Sequence, residues 1–77
     1  MLASNPIQFN AIKIGDLLCR LAGQDVQIVG RVVNIATNRR GHRVAVLDRP
    51  WFNGGMRSER IRETTVNRGL TIRKVKG

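Results

Sequence analysis

The 77-residue chain is short of most residue types that carry chemistry: one cysteine, one histidine, one tryptophan, two phenylalanines and no tyrosine. A single cysteine excludes an intrachain disulfide framework and a thiolate metal cluster, and one histidine leaves a zinc site almost without ligands. No metal or cofactor is therefore expected. The longest apolar run, residues 44–47, has four members, too few to span a bilayer or form the core of a signal peptide. With no membrane partner in view and no disulfides to form, a cytoplasmic location is the expectation. Acidic residues are also scarce, five against 14 basic ones, and the three beyond residue 30 are too scattered for a two-metal site. Gly54-Gly55 lacks the lysine and helix of a phosphate loop. His42 lies among Arg39, Arg40 and Arg43 with no carboxylate near it in sequence, so no acid–base pair or nucleophilic triad can be assembled. Cys19, in an apolar stretch, reads as a small hydrophobe. The chain is expected not to be an enzyme, and no catalytic residue is assigned.

What is present is positive charge. Eleven of the 14 basic residues are arginine, and the formal net charge is +9. Residues 1–30 sum to zero, with Lys13 and Arg20 against Asp16 and Asp25, so residues 31–77 carry the whole excess. Such a split predicts one positive face, and the guanidinium fork suits phosphate and carboxylate oxygens better than a lysine point charge.

Seventy-seven residues make one domain at most, with a small core that a homo-oligomer or a partner could help secure. Residues 1–11, containing Asn5-Pro6, read as an N-terminal arm that Ile7 and Phe9 pin to the body, and residues 12–77 as a single small β domain. Residues 12–22 fit two descriptions. As a strand they turn Leu17, Cys19 and Leu21 inward; as a short helix over 16–22, Asp16 caps the start and Gly23 the end. The Val- and Ile-rich run 26–36 is a strand, with Gly30 marking a bulge, a coil or a close approach. It joins the run 43–48 through the tip Asn38-Arg39-Arg40-Gly41, the strongest hairpin signal in the chain. Residues 49–55 form a loop around Pro50, and residues 58–62 fit a 3₁₀ or single helical turn. Residues 64–75 read as a second hairpin, with Gly69 in a left-handed bulge position. The fold class is all-β or mostly β: a small SH3-like barrel or a strongly bent antiparallel sheet of four or five short strands.

From Gly15 to Leu47 the chain resembles the KOW-type module of small SH3-like barrels. Gly15-Asp16 matches the opening pair, Gly30-Arg31-Val32-Val33-Asn34-Ile35 the central Gly-x-Val-x-x-Ile pattern, and Val44-Ala45-Val46 the strand after a basic turn. Arg20 and Val26 depart from the pattern, where an inward apolar residue and a second glycine are usual. The resemblance implies a barrel and is similar in kind to modules that contact RNA, ribosomes or RNA polymerase.

Two groups of residues are the candidate partner contacts. The first is the pair of turns bearing Arg39, Arg40, His42 and Arg43, and Arg68, where guanidinium groups and turn N–H groups suit phosphate oxygens. The second is Trp51 and Phe52, flanked by Arg49 and Arg57, which fit a stacking platform for unpaired bases, a protein hot spot, or a lid over the core. Arg73 and Lys74 form a basic stretch near the end that could follow a phosphate backbone. The expectation is a small regulatory module that binds RNA or DNA through backbone charge and shape. The alternative is a module docking on an acidic protein surface of a nucleic-acid machine such as RNA polymerase or the ribosome. Small size and high basic charge also match a viral accessory protein.

Overall fold

The β-branched stretch between Asp25 and Thr37 forms a strand thirteen residues long in the computed structural model, which describes residues 2–49 and 57–76. The elements in chain order are β1 (Leu2–Ala3), a 3₁₀ turn (Phe9–Ala11), β2 (Leu17–Ala22), β3 (Asp25–Thr37), β4 (Arg43–Arg49), β5 (Arg57–Arg62), the helix α1 (Glu63–Gly69) and β6 (Arg73–Lys76). Every paired neighbour is antiparallel, in the order β1-β6-β2-β3-β4-β5. The fold is mostly β, a bent open sheet with one short helix among the described residues.

The bend comes from β3. Leu18 pairs with Gly30 and Cys19 with Ile28, which leaves Val29 as an extra residue; Val32 pairs with Leu47 and Asn34 with Val46, which leaves Val33 as a second. Each extra residue coils the strand and raises its twist. As a result β2 covers β3 up to Arg31 and β4 covers it from Arg31 onward, so the two partners share one residue of the long strand.

The sheet does not close. β1 and β5 stand at opposite ends of the order with no pairing between them, which overturns the SH3-like barrel and with it the KOW-type resemblance. The reason lies after β5, where the chain turns directly into α1, and the helix packs on β4, β5 and the 3₁₀ turn. Its Val66, 1% exposed, is part of the core.

One local alternative is decided and three expectations are corrected. Residues 17–22 take the first of the two readings left open, the strand; the ladder to β3 supplies hydrogen bonds that so short a helix could not match. The bulge shifts their facing, so Leu18 and Cys19 are buried while Leu21 is exposed, and Gly23 opens a two-residue hairpin loop at φ +64°, the place glycine takes in a type II′ turn. Residues 57–62 are a strand paired with β4, with Ile61 opposite Ala45 and only that apolar side chain turned to the core. Residues 63–69 are helical, so the second hairpin does not exist and Gly69 has no left-handed conformation. Leu70 takes that role as the helix C-cap, at φ +48°, its N–H donating to the Val66 carbonyl.

The core gathers Phe9, Leu18, Val32, Leu47 and Val66, each no more than 1% exposed, with Ile12, Val29, Ala45, Ile61 and Ile72 around them. Ile7 packs against this cluster from the N-terminal segment.

Candidate functional site

The β3–β4 tip is a closed turn. Asn38 Oδ1 accepts hydrogen bonds from the N–H groups of Arg40 and His42, both at 3.0 Å, and the Asn38 carbonyl accepts from Gly41 N–H. Gly41, at φ +83°, supplies the backbone conformation that lets the turn close. These N–H groups are satisfied internally and do not face a ligand, so the turn contributes to recognition through its side chains. Those of Arg39, Arg40 and His42 are exposed.

Opposite the tip, the end of β5 and the helix supply two more guanidinium groups. Asn38, Arg39, Arg40, His42, Arg62 and Arg68, with Thr64, line one open concavity of about 510 Å³. The helix places Arg68 in its last turn, where a cation also meets the partial negative charge of the helix end. Among the described residues, no carboxylate pairs with Arg39, Arg40, Arg62 or Arg68. Four unpaired guanidinium groups around one depression concentrate positive potential there.

The nearest acidic side chain in sequence is committed elsewhere. Glu63 accepts from Arg43 Nη2 at 2.6 Å, from Arg43 Nε at 3.2 Å and from the Arg43 N–H at 3.3 Å. These bonds hold the Glu63 carboxyl below its ordinary pKa, the Arg43 side-chain hydrogen bonds first. Arg43 also donates to Asn10 Oδ1 and stands 5.1 Å above the Phe9 ring. Arg43 is thus a structural clamp joining β4, α1 and the N-terminal segment, with its charge matched by Glu63. Asn67 serves the same junction, its Oδ1 accepting from Phe9 N–H at 2.8 Å.

The remaining candidates separate. Arg73 donates to the Ser4 carbonyl at 3.0 Å, and Lys74 pairs with Asp16 at 3.1 Å, so both stitch β6 to its surroundings and neither lines the concavity. Arg49 and Arg57 pair across β4 and β5, and their side chains lie outside the described residues, as do Trp51 and Phe52 altogether. Arg62 was not singled out by sequence, because its segment matched no hydrophobic period; only its charge marked it. Cys19 is a free, buried thiol whose pKa is raised by desolvation, against the opposing pull of Arg73.

Among the described residues no group of three His, Cys, Asp or Glu side chains could hold a metal ion, and no helix is long and apolar enough to cross a membrane. No protein-family model, curated protein or solved structure matches the chain.

Proposed function

We propose that the protein is a nucleic-acid-binding module, not an enzyme, and that the concavity between the β3–β4 tip and α1 is its phosphate-binding site. The observation that carries this reading is the convergence of Arg39, Arg40, Arg62 and Arg68, from three separate elements, on one open surface where no carboxylate of the described residues pairs with them. Guanidinium groups so placed form charge-assisted, fork-like hydrogen bonds to phosphate oxygens, which position a backbone without reading its sequence. Arg43 supports the site indirectly, because its clamp on Glu63 removes the adjacent negative charge and sets the start of α1. A free buried thiol at Cys19 fits action in a reducing compartment such as the cytoplasm.

Fluorescence anisotropy with labelled mixed-sequence RNA, single-stranded DNA and duplex DNA tests the proposal. Four phosphate contacts give a slope of log K against log [salt] of about −2.8 for a single strand and about −3.6 for a duplex. Arg39→Gln with Arg40→Gln should reduce the single-strand slope by about 1.4. The control Lys13→Gln with Lys76→Gln removes the same charge from exposed positions outside the concavity and should leave that slope nearly unchanged. Equal losses in the two double variants would show diffuse charge attraction and no site. Absence of binding to all three ligands at low salt would overturn the reading in favour of an acidic protein partner.

A further inference from the structure

The concavity does not end at Arg62. That residue also lines a second open depression, of about 320 Å³, which runs beside β5 and is rimmed by Arg20, Arg60 and Arg62. A third, of about 200 Å³, lies on the outer face of β3, β4 and β5; it shares Asn38 with the first and Arg60 with the second. The shared residues make one connected track from the hairpin tip, along the end strand of the sheet, to Arg20 on β2. Strand geometry arranges part of it: Arg60 and Arg62 are two residues apart on β5, so they share its outer face about 7 Å from each other, opposite Val46 and Val44. Glu59 lines the second depression too, on the same face of β5 as Ile61, so one carboxylate stands among its three guanidinium groups.

We propose, resting on the function above, that the ligand of this track is a single-stranded stretch of nucleic acid and not a duplex. Two observations separate the forms. The floor of the second depression combines the largely buried Ile61 and Ile72 with the exposed Thr65 and Thr71, a mixed surface beneath a rim of three arginines and Glu59 that is net positive. A duplex offers phosphates outward and hides its base faces, whereas an unpaired strand presents a base face and a phosphate together, which matches floor and rim at once. The first concavity, at about 510 Å³, is in the size range that encloses one drug-sized molecule, suited to a nucleotide or two. Among the described residues nothing along the track offers a groove-filling element: α1 is seven residues, about 10 Å, and its Val66 is anchored in the core.

The test uses oligo(dT) and oligo(rU) of 4 and 12 nucleotides and a 12-bp duplex, read by anisotropy against the wild type and against Arg20→Gln with Arg60→Gln. Both positions are exposed, so the variant should keep its fold, which circular dichroism verifies. The tetramer, held in the first concavity, should bind the variant within about twofold of wild type. The 12-mer should lose about tenfold in affinity and about 1.4 of its salt slope, the share of two single-strand phosphate contacts. The duplex should bind wild type at least tenfold more weakly than the 12-mer at the same salt. The dT and rU arms identify which sugar the track accepts. Equal losses for both lengths, no loss for either, or a duplex bound as tightly as the single strand would overturn the track while leaving the phosphate site standing. Failure of the wild type to bind any of these oligonucleotides overturns both.

Discussion

Replacing Phe9 by alanine probes how far the N-terminal segment belongs to the structure that holds the site. The ring is 1% exposed and sits in the central cluster with Leu18, Leu47 and Val66, below the Arg43 guanidinium. A buried Phe→Ala change costs about 3–5 kcal/mol, from lost transfer energy and the cavity left behind. A chain of 77 residues has a total stability of about 4–12 kcal/mol at ordinary values per residue. The substitution therefore removes about a quarter of the stability at least, and most or all of it at the lower end. In a urea melt followed by far-UV circular dichroism, with a slope near 1 kcal/mol per molar for so small a domain, the midpoint should fall by about 3 M or more. Phe9→Leu keeps most of the volume and should cost only about 1 kcal/mol, which keeps the comparison measurable if the alanine variant is unfolded from the start. An alanine variant melting within about 0.5 M of wild type would show that residues 1–11 fray in solution and that the Phe9–Asn67 and Asn10–Arg43 contacts carry no weight.

Leu70→Gly should stabilise the protein by about 1 kcal/mol, since the left-handed C-cap strains a branched side chain that is already half exposed; a lower melting midpoint would refute the assignment. Gly69→Ala should be neutral or stabilising, because a Cβ there meets only Thr71 at 3.8–3.9 Å, whereas Gly41→Ala should cost about 1 kcal/mol at its positive φ. The two melting midpoints moving alike would contradict both backbone assignments. The depressed pKa of Glu63 means that its clamp contributes fully above its ordinary 4.5 and is lost as pH falls from there through the lower folded-state value. Glu63→Gln should therefore be less stable than wild type near neutrality and should converge on it in acid; parallel pH profiles would remove the clamp from the account.

The parts of the fold that could be read from residues are those where local preference and tertiary need agree. The β3–β4 hairpin combines a β-branched run with an Asn-x-x-Gly tip, and both its strands and its turn are where composition puts them. Elsewhere the two disagree. Thr64, Thr65 and Val66 have the makings of a strand, but only Val66 finds a core position, and a helix is what delivers it there. β5 has a single core-facing hydrophobe, Ile61, because an end strand needs to bury only one face against its neighbour. The facing of β2 was hidden by the extra residue Val29, which lies on the opposite strand and leaves no trace within residues 17–22. The site divides in the same way. Arg39 and Arg40 were visible as a basic tip and Arg68 as a charge beside it in space, though in a different element from the expected turn. Arg43 looked equally available, because its partner Glu63 is twenty residues away and brought close only by the pairing of β4 with β5.

The open end of the sheet at β5 has a further consequence. A strand with one free side offers unpaired backbone groups to any other chain, and such edges are the usual seeds of aggregation unless charge protects them. Here Arg60 and Arg62 stand on that edge, so the side chains proposed to hold a nucleic-acid strand also keep copies of the protein apart by repulsion. Ligand and solubility are then coupled in opposite directions. Neutralising the edge with bound phosphates lowers the repulsion, while the bound strand covers the same edge sterically. Substitutions that strip the arginines remove the repulsion and put nothing in its place, so loss of binding and a tendency to self-associate should be inherited together.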